Sequence, residues 1–196
     1  MKYNSQKRIA LFGTSADPPT IGHKKILEEL SKIYCLTITY ASNNPQKRHK
    51  EEISIRSLLL NTLIKDIGNP KIIFNQRLSS QWAIESIKRC KTIYELNHFD
   101  FVIGSDLIKD IFSWKDFDKM IKEVNLFIII REGYPIESSS LKMLKDSKIN
   151  FEISTLDIPN ISSSMVRVNT NYSILPKSLI DIVKKNNLYV STKLSE

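Results

Sequence analysis

Residues 8–23, RIALFGTSADPPTIGH, constrain this chain more than any other stretch. Arg8 to Phe12 is a mostly apolar run with little alternation, which reads as a strand covered on both faces, and Gly13 is expected to end it. Thr14 and Ser15 follow with small side chains and free backbone N–H groups. Asp17-Pro18-Pro19 makes an extended turn, because each proline pins its own φ and biases the preceding residue away from helix. Thr20 then stands as an N-cap, and Ile21, Ile26, Leu27 and Leu30 recur near helical spacing. A strand, a small-residue loop and a helix start aim N–H donors and a positive helix end at one place, an arrangement suited to phosphate. Gly22 and His23 fall in the first turn, where glycine leaves room above the helix and an imidazole can face the same place. By themselves Gly22 and His23 after a turn fit an ordinary capped loop with a surface histidine better than a catalytic site.

The remainder alternates strand and helix patterns. Strands are expected at Tyr34–Ala41, Lys71–Phe74, Phe99–Ile103, Asn125–Ile130 and Asn150–Ser154. Helices are expected at Glu52–Ile67 and Gln81–Leu96, in two short pieces flanking Trp114, at Leu141–Lys145 and near Pro176–Asn186. This order predicts an α/β fold, a doubly wound parallel sheet with helices on both faces. Ligands of such sheets lie beyond the carboxyl ends of the strands, where strand order reverses. Gly13-Thr14-Ser15, Asn43-Asn44-Pro45, Gly104-Ser105-Asp106 and Arg131-Glu132-Gly133 would then share one edge. A single domain over residues 1–196 is expected, with a core over about 8–154 and a C-terminal helical segment over about 155–196.

Composition narrows the function classes. No apolar run is long enough to span a bilayer, and MKYNSQKR has charge but no apolar segment behind it, so the expectation is a cytoplasmic protein without a membrane partner. Cys35 and Cys90 are too few for a disulfide framework and have no metal-ligand spacing. The formal charge of +8 suits anionic partners, but the lysines are dispersed apart from Lys47-Arg48-His49-Lys50. A nucleic-acid module would need a clustered basic face interleaved with aromatics, which the sequence lacks, so no nucleic-acid partner is expected. His49 and His98 carry no partner signal, and Glu28-Glu29 reads as surface.

Thr20-Ile21-Gly22-His23 after a strand resembles the (H/T)xGH signature of a nucleotidyltransferase superfamily, and Ile161-Ser162-Ser163-Ser164-Met165-Val166-Arg167 resembles its late ISSTxxR element. Between them, Asn44-Pro45-Gln46-Lys47, Arg56, Trp82-Ala83-Ile84-Glu85, Gly104-Ser105-Asp106 with Trp114 and Lys115, and Arg131-Glu132-Gly133-Tyr134 follow in the order of the bacterial nicotinate-nucleotide adenylyltransferase family. The chain departs from that pattern in having Thr20 for the first histidine, Ala16 for Phe, Ser164 for Thr and Trp82-Ala83 for Tyr-Thr.

The resemblance implies a Rossmann-like form of the doubly wound sheet and transfer of the adenylyl group of ATP to nicotinate mononucleotide, giving nicotinate adenine dinucleotide and pyrophosphate in NAD biosynthesis, with Mg²⁺ held mainly by substrate phosphates. Gly13, Thr14, Ser15, Gly22, His23, Gly104, Asp106, Ile161, Ser162, Ser163 and Arg167 would then hold ATP. Ser15, Lys47, Arg56, Trp82, Ala83, Trp114 and Arg131 would hold the mononucleotide. His23, Thr20, Lys47 and Arg167 would act on the reacting phosphates, with the Thr20 hydroxyl replacing one imidazole contact. The alternatives are another acceptor within the superfamily, such as NMN or phosphopantetheine, cytidylyl transfer, and a non-catalytic nucleotide binder. Acid or amide on the pyridine ring is not decided by the motifs, nor is association of the chain into a homo-oligomer.

Overall fold

Six strands form one sheet in the order β3-β2-β1-β4-β5-β6, and every pair is parallel. The strands of this computed structural model, which describes residues 8–190, are β1 (Ile9–Thr14), β2 (Leu36–Ala41), β3 (Ile72–Phe74), β4 (Asp100–Gly104), β5 (Asn125–Ile129) and β6 (Phe151–Ile153). The helices are α1 (Ile21–Ile33), α2 (Ile53–Ile67), α3 (Ala83–Tyr94), α4 (Phe117–Met120), α5 (Ser138–Asp146), α6 (Ser163–Asn169) and α7 (Lys177–Lys185). Met1–Lys7, where the reading of the chain start falls, and residues 191–196 of the C-terminal segment lie outside the described residues. The chain runs outward from β1 to β3, crosses back to β4 and runs outward again, so strand order reverses between β1 and β4.

Period-two alternation divides the strand side chains between two cores. Ala10, Phe12, Val102, Phe127 and Ile129 pack with Leu27 and Leu30 of α1, Leu59 and Leu63 of α2, Val166 of α6, and Leu179 and Val183 of α7. Leu11, Ile38, Phe101, Ile103, Leu126 and Ile128 pack on the other face with Ile84 and Ile87 of α3, Met120 of α4 and Leu144 of α5. The C-terminal segment is thus part of the core and not an appendage to it, since α7 lies against α2.

Among the boundaries that differ from expectation, three have a visible cause or consequence. Gly13 does not end β1, because the strand stays in register with Tyr40 and Ala41 as far as Thr14. Tyr34 caps α1 instead of starting β2, its N–H donating to the Leu30 carbonyl at 2.8 Å. Helix α5 starts at Ser138, a turn before the expected Leu141.

The amino edge of the sheet is fastened by one carboxylate. Asp100, 4% exposed, accepts bonds from Arg8 Nε at 3.0 Å, Tyr34 Oη at 2.8 Å and Asn125 Nδ2 at 3.0 Å. Arg8 Nη2 lies 2.5 Å from Asp100 and 2.8 Å from Glu152, so β1, β4, β5 and β6 share one network. A buried ion pair of this kind stabilises only while complete, since removing one partner strands the others in low dielectric. Asp100→Ala is therefore expected to lower unfolding free energy by about 3 kcal/mol or more. Asp100→Asn, which keeps an acceptor, is expected to lower it less, and urea unfolding of the two variants checks the order.

Candidate active site

At the opposite edge the strand ends surround a cavity of about 870 Å³. Gly13 and Thr14 at the end of β1 with Ser15 beyond it, Asn44 and Lys47 after β2, Gly104 at the end of β4 with Asp106 beyond it, and Arg131 and Glu132 after β5 all line it. The four punctuated strand ends therefore meet as expected from the fold class. Ile161, Ser162, Ser163 and Arg167 close one side, and Trp82, Ala83 and Trp114 form another.

His23 lies where the first helix meets this cavity, held at both ring nitrogens. Thr20 is the N-cap of α1 and His23 its N3 residue, and the two form a reciprocal capping box. The backbone N–H of Thr20 donates to His23 Nδ1 at 3.1 Å. An amide N–H can only donate, so Nδ1 carries no proton and the neutral ring is protonated at Nε2. Nε2 faces the Thr14 hydroxyl at 3.1 Å. Burial, followed by the positive charges of Arg131 and Lys47, pushes the imidazole down to about 4 from 6.5. At neutral pH the group is an uncharged donor turned toward the cavity.

The second phosphate-like loop is pinned onto the first. A Cβ at Gly22 would come within 3.0 Å of the Ile161 carbonyl, so glycine permits the late loop to lie across the first turn of α1. Ser163 Oγ donates to the Pro18 carbonyl at 2.8 Å, and Arg167 Nη1 donates to the Asp17 carbonyl at 2.6 Å. Asp17 is 2% exposed; its carboxylate accepts the Lys50 N–H at 2.7 Å and the Glu51 N–H at 3.2 Å and lies 3.9 Å from Arg167. One acidic residue thus joins the loop after β1, the loop before α2 and helix α6.

Two expected site residues are corrected. Thr20 is fully buried and absent from the cavity wall, and its hydroxyl lies 2.9 Å from His23 Nδ1. It orients the imidazole instead of offering its hydroxyl to a phosphate. Arg56 is 1% exposed and donates to the carbonyls of Ser15 at 2.7 Å, Ser42 at 2.8 Å and Glu51 at 3.0 Å. Its guanidinium ties the loops together from beneath and does not line the cavity. The family resemblance alone placed Arg56 among the ligand contacts, whereas here three carbonyls converge where its long forked donor satisfies them all.

On the far side, Arg131 Nη1 pairs with Asp106 Oδ2 at 3.0 Å. A side chain at Gly104 would collide with that Asp106 carboxylate and with the Arg131 stem, so glycine lets the pair fold back over the strand end. Ser105 Oγ donates to the Tyr134 carbonyl at 2.7 Å and accepts the Arg131 N–H at 2.9 Å, fixing one loop to the other. Trp114 stands edge-on to Phe101 with ring centroids 6.4 Å apart. Lys115 lies over the Trp82 ring, 5.0 Å from its centroid.

Sequence reading passed over three residues of this region. Asp17 was seen only as part of a turn, although an acid before two prolines can collect nearby N–H groups. Tyr40 is buried over Gly13, where its hydroxyl would lie 2.6 Å from an added Cβ; Gly13 is thus required by packing and not by an unusual φ. His49 lines the cavity half-buried, with no partner for its buried Nε2 among the described residues, and burial holds its pKa below the ordinary value. No spacing rule marks such a histidine in a polar loop.

Comparison with known proteins agrees with this geometry. The sequence model of the cytidylyltransferase-like family matches residues 11–169. A probable nicotinate-nucleotide adenylyltransferase of Synechocystis is 28% identical, covering 93% of this chain and 98% of its own. Another, from Leptospira interrogans, is 28% identical and covers 95% and 98%. The nicotinic acid mononucleotide adenylyltransferase of Plasmodium falciparum complexed with NaAD superposes with a TM-score of 0.76 at 25% identity, over 93% of this chain and 97% of its own. The same enzyme complexed with APC gives 0.74 at 27% identity, over the same shares.

The tautomer and the titration of His23 are directly measurable. ¹⁵N NMR is expected to show a neutral ring protonated at Nε2 that titrates near pH 4 instead of 6.5. Because the folded value is the lower one, the unfolded chain takes up its proton first as pH falls. The stability contributed by the neutral ring is present above about 6.5 and is lost as pH drops toward 4. In His23→Asn that part of the pH dependence of unfolding is expected to disappear.

Proposed function

The chain belongs to the cytidylyltransferase-like family, and we propose that it transfers the adenylyl group of ATP to nicotinate mononucleotide, giving nicotinate adenine dinucleotide and pyrophosphate. The observation that carries this reading is the meeting, around one cavity, of a donor imidazole, the cations Lys47 and Arg167, and two indoles. The first three suit phosphates in transit, and the indoles suit a flat cationic ring.

In this reading the mononucleotide phosphate oxygen attacks the α-phosphorus, the bond from that phosphorus to the bridging oxygen breaks, and pyrophosphate leaves. No protein nucleophile and no proton transfer are needed, so the residues act by positioning and charge stabilisation. The Nε2–H of His23 donates to an α-phosphate oxygen as negative charge grows there. Thr20 acts through His23, its backbone N–H keeping Nδ1 unprotonated. The backbone at Gly13, Thr14 and Ser15 and the open space over Gly22 accommodate the triphosphate, and Ile161, Ser162, Ser163 and Arg167 take its leaving portion. Lys47 draws the two anionic substrates together. Asp106 and Gly104 meet the ATP ribose, Arg131 orients Asp106, and Ala83 and Trp82 flank the ring that stacks on Trp114. Arg56 supports the site by holding Ser15 and Ser42.

Magnesium fits this scheme as a passenger of ATP. Among the described residues no group of three or more His, Cys, Asp or Glu side chains could hold a metal. Asp106 is engaged by Arg131 and Asp17 by backbone N–H groups. An ion brought with ATP would be held mainly by the substrate's own phosphate oxygens, and it would supply charge neutralisation along the triphosphate.

The test is pyrophosphate release from ATP and Mg²⁺ with the acid mononucleotide. Turnover is expected with nicotinate mononucleotide and is expected to stop on chelation by EDTA. His23→Ala is expected to lower kcat by about 10²–10³, the cost of losing one preorganised donor to developing charge. A variant with nearly unchanged kcat would overturn the role given to His23, and turnover only with phosphopantetheine or with CTP would overturn the choice of substrates.

A further inference from the structure

Lys115 is a cation of the cavity wall that the reaction scheme leaves without a task. Its side chain is exposed and lines the cavity. Its ammonium lies 5.0 Å from the centroid of the Trp82 ring. Among the described residues it makes no ion pair, in contrast to Arg131, which is joined to Asp106 at 3.0 Å. The nearest acid in sequence, Asp116, is taken by Lys119 at 2.8 Å, and Glu85 in the first turn of α3 accepts from Ser80. The backbone that carries Lys115 is anchored by its neighbour Trp114, packed edge-on against Phe101. An unneutralised positive charge is therefore held over the Trp82 indole, on the wall that also carries Trp114, where the pyridine ring is placed above.

We propose that Lys115 is a specificity-determining residue that selects the acid form of the pyridine mononucleotide over the amide form. The inference rests on the pyridine mononucleotide reading and adds to it the choice of ring substituent. An N-ribosylated pyridine ring carries one positive charge. With a carboxylate it is a zwitterion of no net charge and a negative outer end; with a carboxamide it remains a cation. The ring charge is common to both forms, so an ammonium on the wall discriminates through the substituent: it attracts the carboxylate of the first, and the second offers no charge to offset the repulsion of its ring. The sign follows from the charges alone and needs no particular orientation of the ring. Lys115 also occupies the Trp82 face as a cation–π partner, and among the described residues no cation–π contact covers Trp114, which leaves the Trp114 face to the ring of either form.

The experiment compares kcat/KM for nicotinate mononucleotide and nicotinamide mononucleotide in the wild type, Lys115→Met and Lys115→Arg, with the KM for ATP measured in each. In the wild type the acid is expected to be preferred. In Lys115→Met the acid-to-amide ratio is expected to fall by about two- to fivefold, the effect of one exposed charge pair, through a higher KM for the acid and with the KM for ATP unchanged. Lys115→Arg, which keeps the charge, is expected to keep most of the ratio, a rescue that a merely structural role would not give. An unchanged ratio in Lys115→Met overturns the role of Lys115 and leaves the mononucleotide reading intact. Turnover of neither mononucleotide by the wild type overturns that reading, and this inference falls with it.

Discussion

Everything at the carboxyl edge depends on the closeness with which the loop at Ile161 lies over Gly22. That contact joins residues near opposite ends of the chain, and a single methyl group at Gly22 would begin to wedge them apart. Around it Ser163 reaches the Pro18 carbonyl and Arg167 the Asp17 carbonyl, so the late loop is stitched to the early one at several points. The stitching holds because α6 and α7 are themselves built into the core, with Val166, Leu179 and Val183 packed against Ala10 and Phe12 of the first strand and against α2. Burial of apolar surface far from the cavity thus fixes the distance between the two loops that flank it.

The electrostatic character of the cavity follows from the same construction. Lys47, Arg131 and Arg167 supply positive charge around it, and desolvation, with the field of Arg131 and Lys47 added, keeps His23 uncharged. The division of labour is physically sensible for a polyanionic ligand. Fixed cations supply attraction at a distance, while a neutral, oriented N–H provides a directional bond at the reacting atom without adding another buried charge. Orientation comes from the helix itself: a capping box that ordinarily satisfies a free N–H here also dictates which ring nitrogen holds the proton.

Much of this was legible in the sequence because it is governed by short-range rules. Strand and helix alternation gave the doubly wound sheet, and the Thr20-to-His23 stretch gave the cradle, since capping, small residues and prolines act within a few positions of one another. What could not be read was partnership across the fold. Arg56 looks from sequence like one more cation for an anionic ligand, and only the convergence of the Ser15, Ser42 and Glu51 carbonyls reveals it as a support. Thr20 resembles a phosphate contact by its motif, yet the capping geometry turns it inward. Asp17 and Tyr40 escaped for the same reason, because their roles are set by segments distant in sequence. The partners of the late helices were not legible either, since amphipathic spacing says that a helix is covered and not that Val166, Leu179 and Val183 pack against β1 and α2.

The clamp around Asp100 sits at one end of the strands and the cavity at the other. The framework is consequently secured by residues that never meet a ligand, and the ligand is met by loops that the clamp does not hold. In a scaffold arranged in this way the loops can be recombined among relatives while the strands remain registered. The lineage of such a fold can therefore drift from one acceptor to another by exchanging loop residues, with the sheet inherited unchanged.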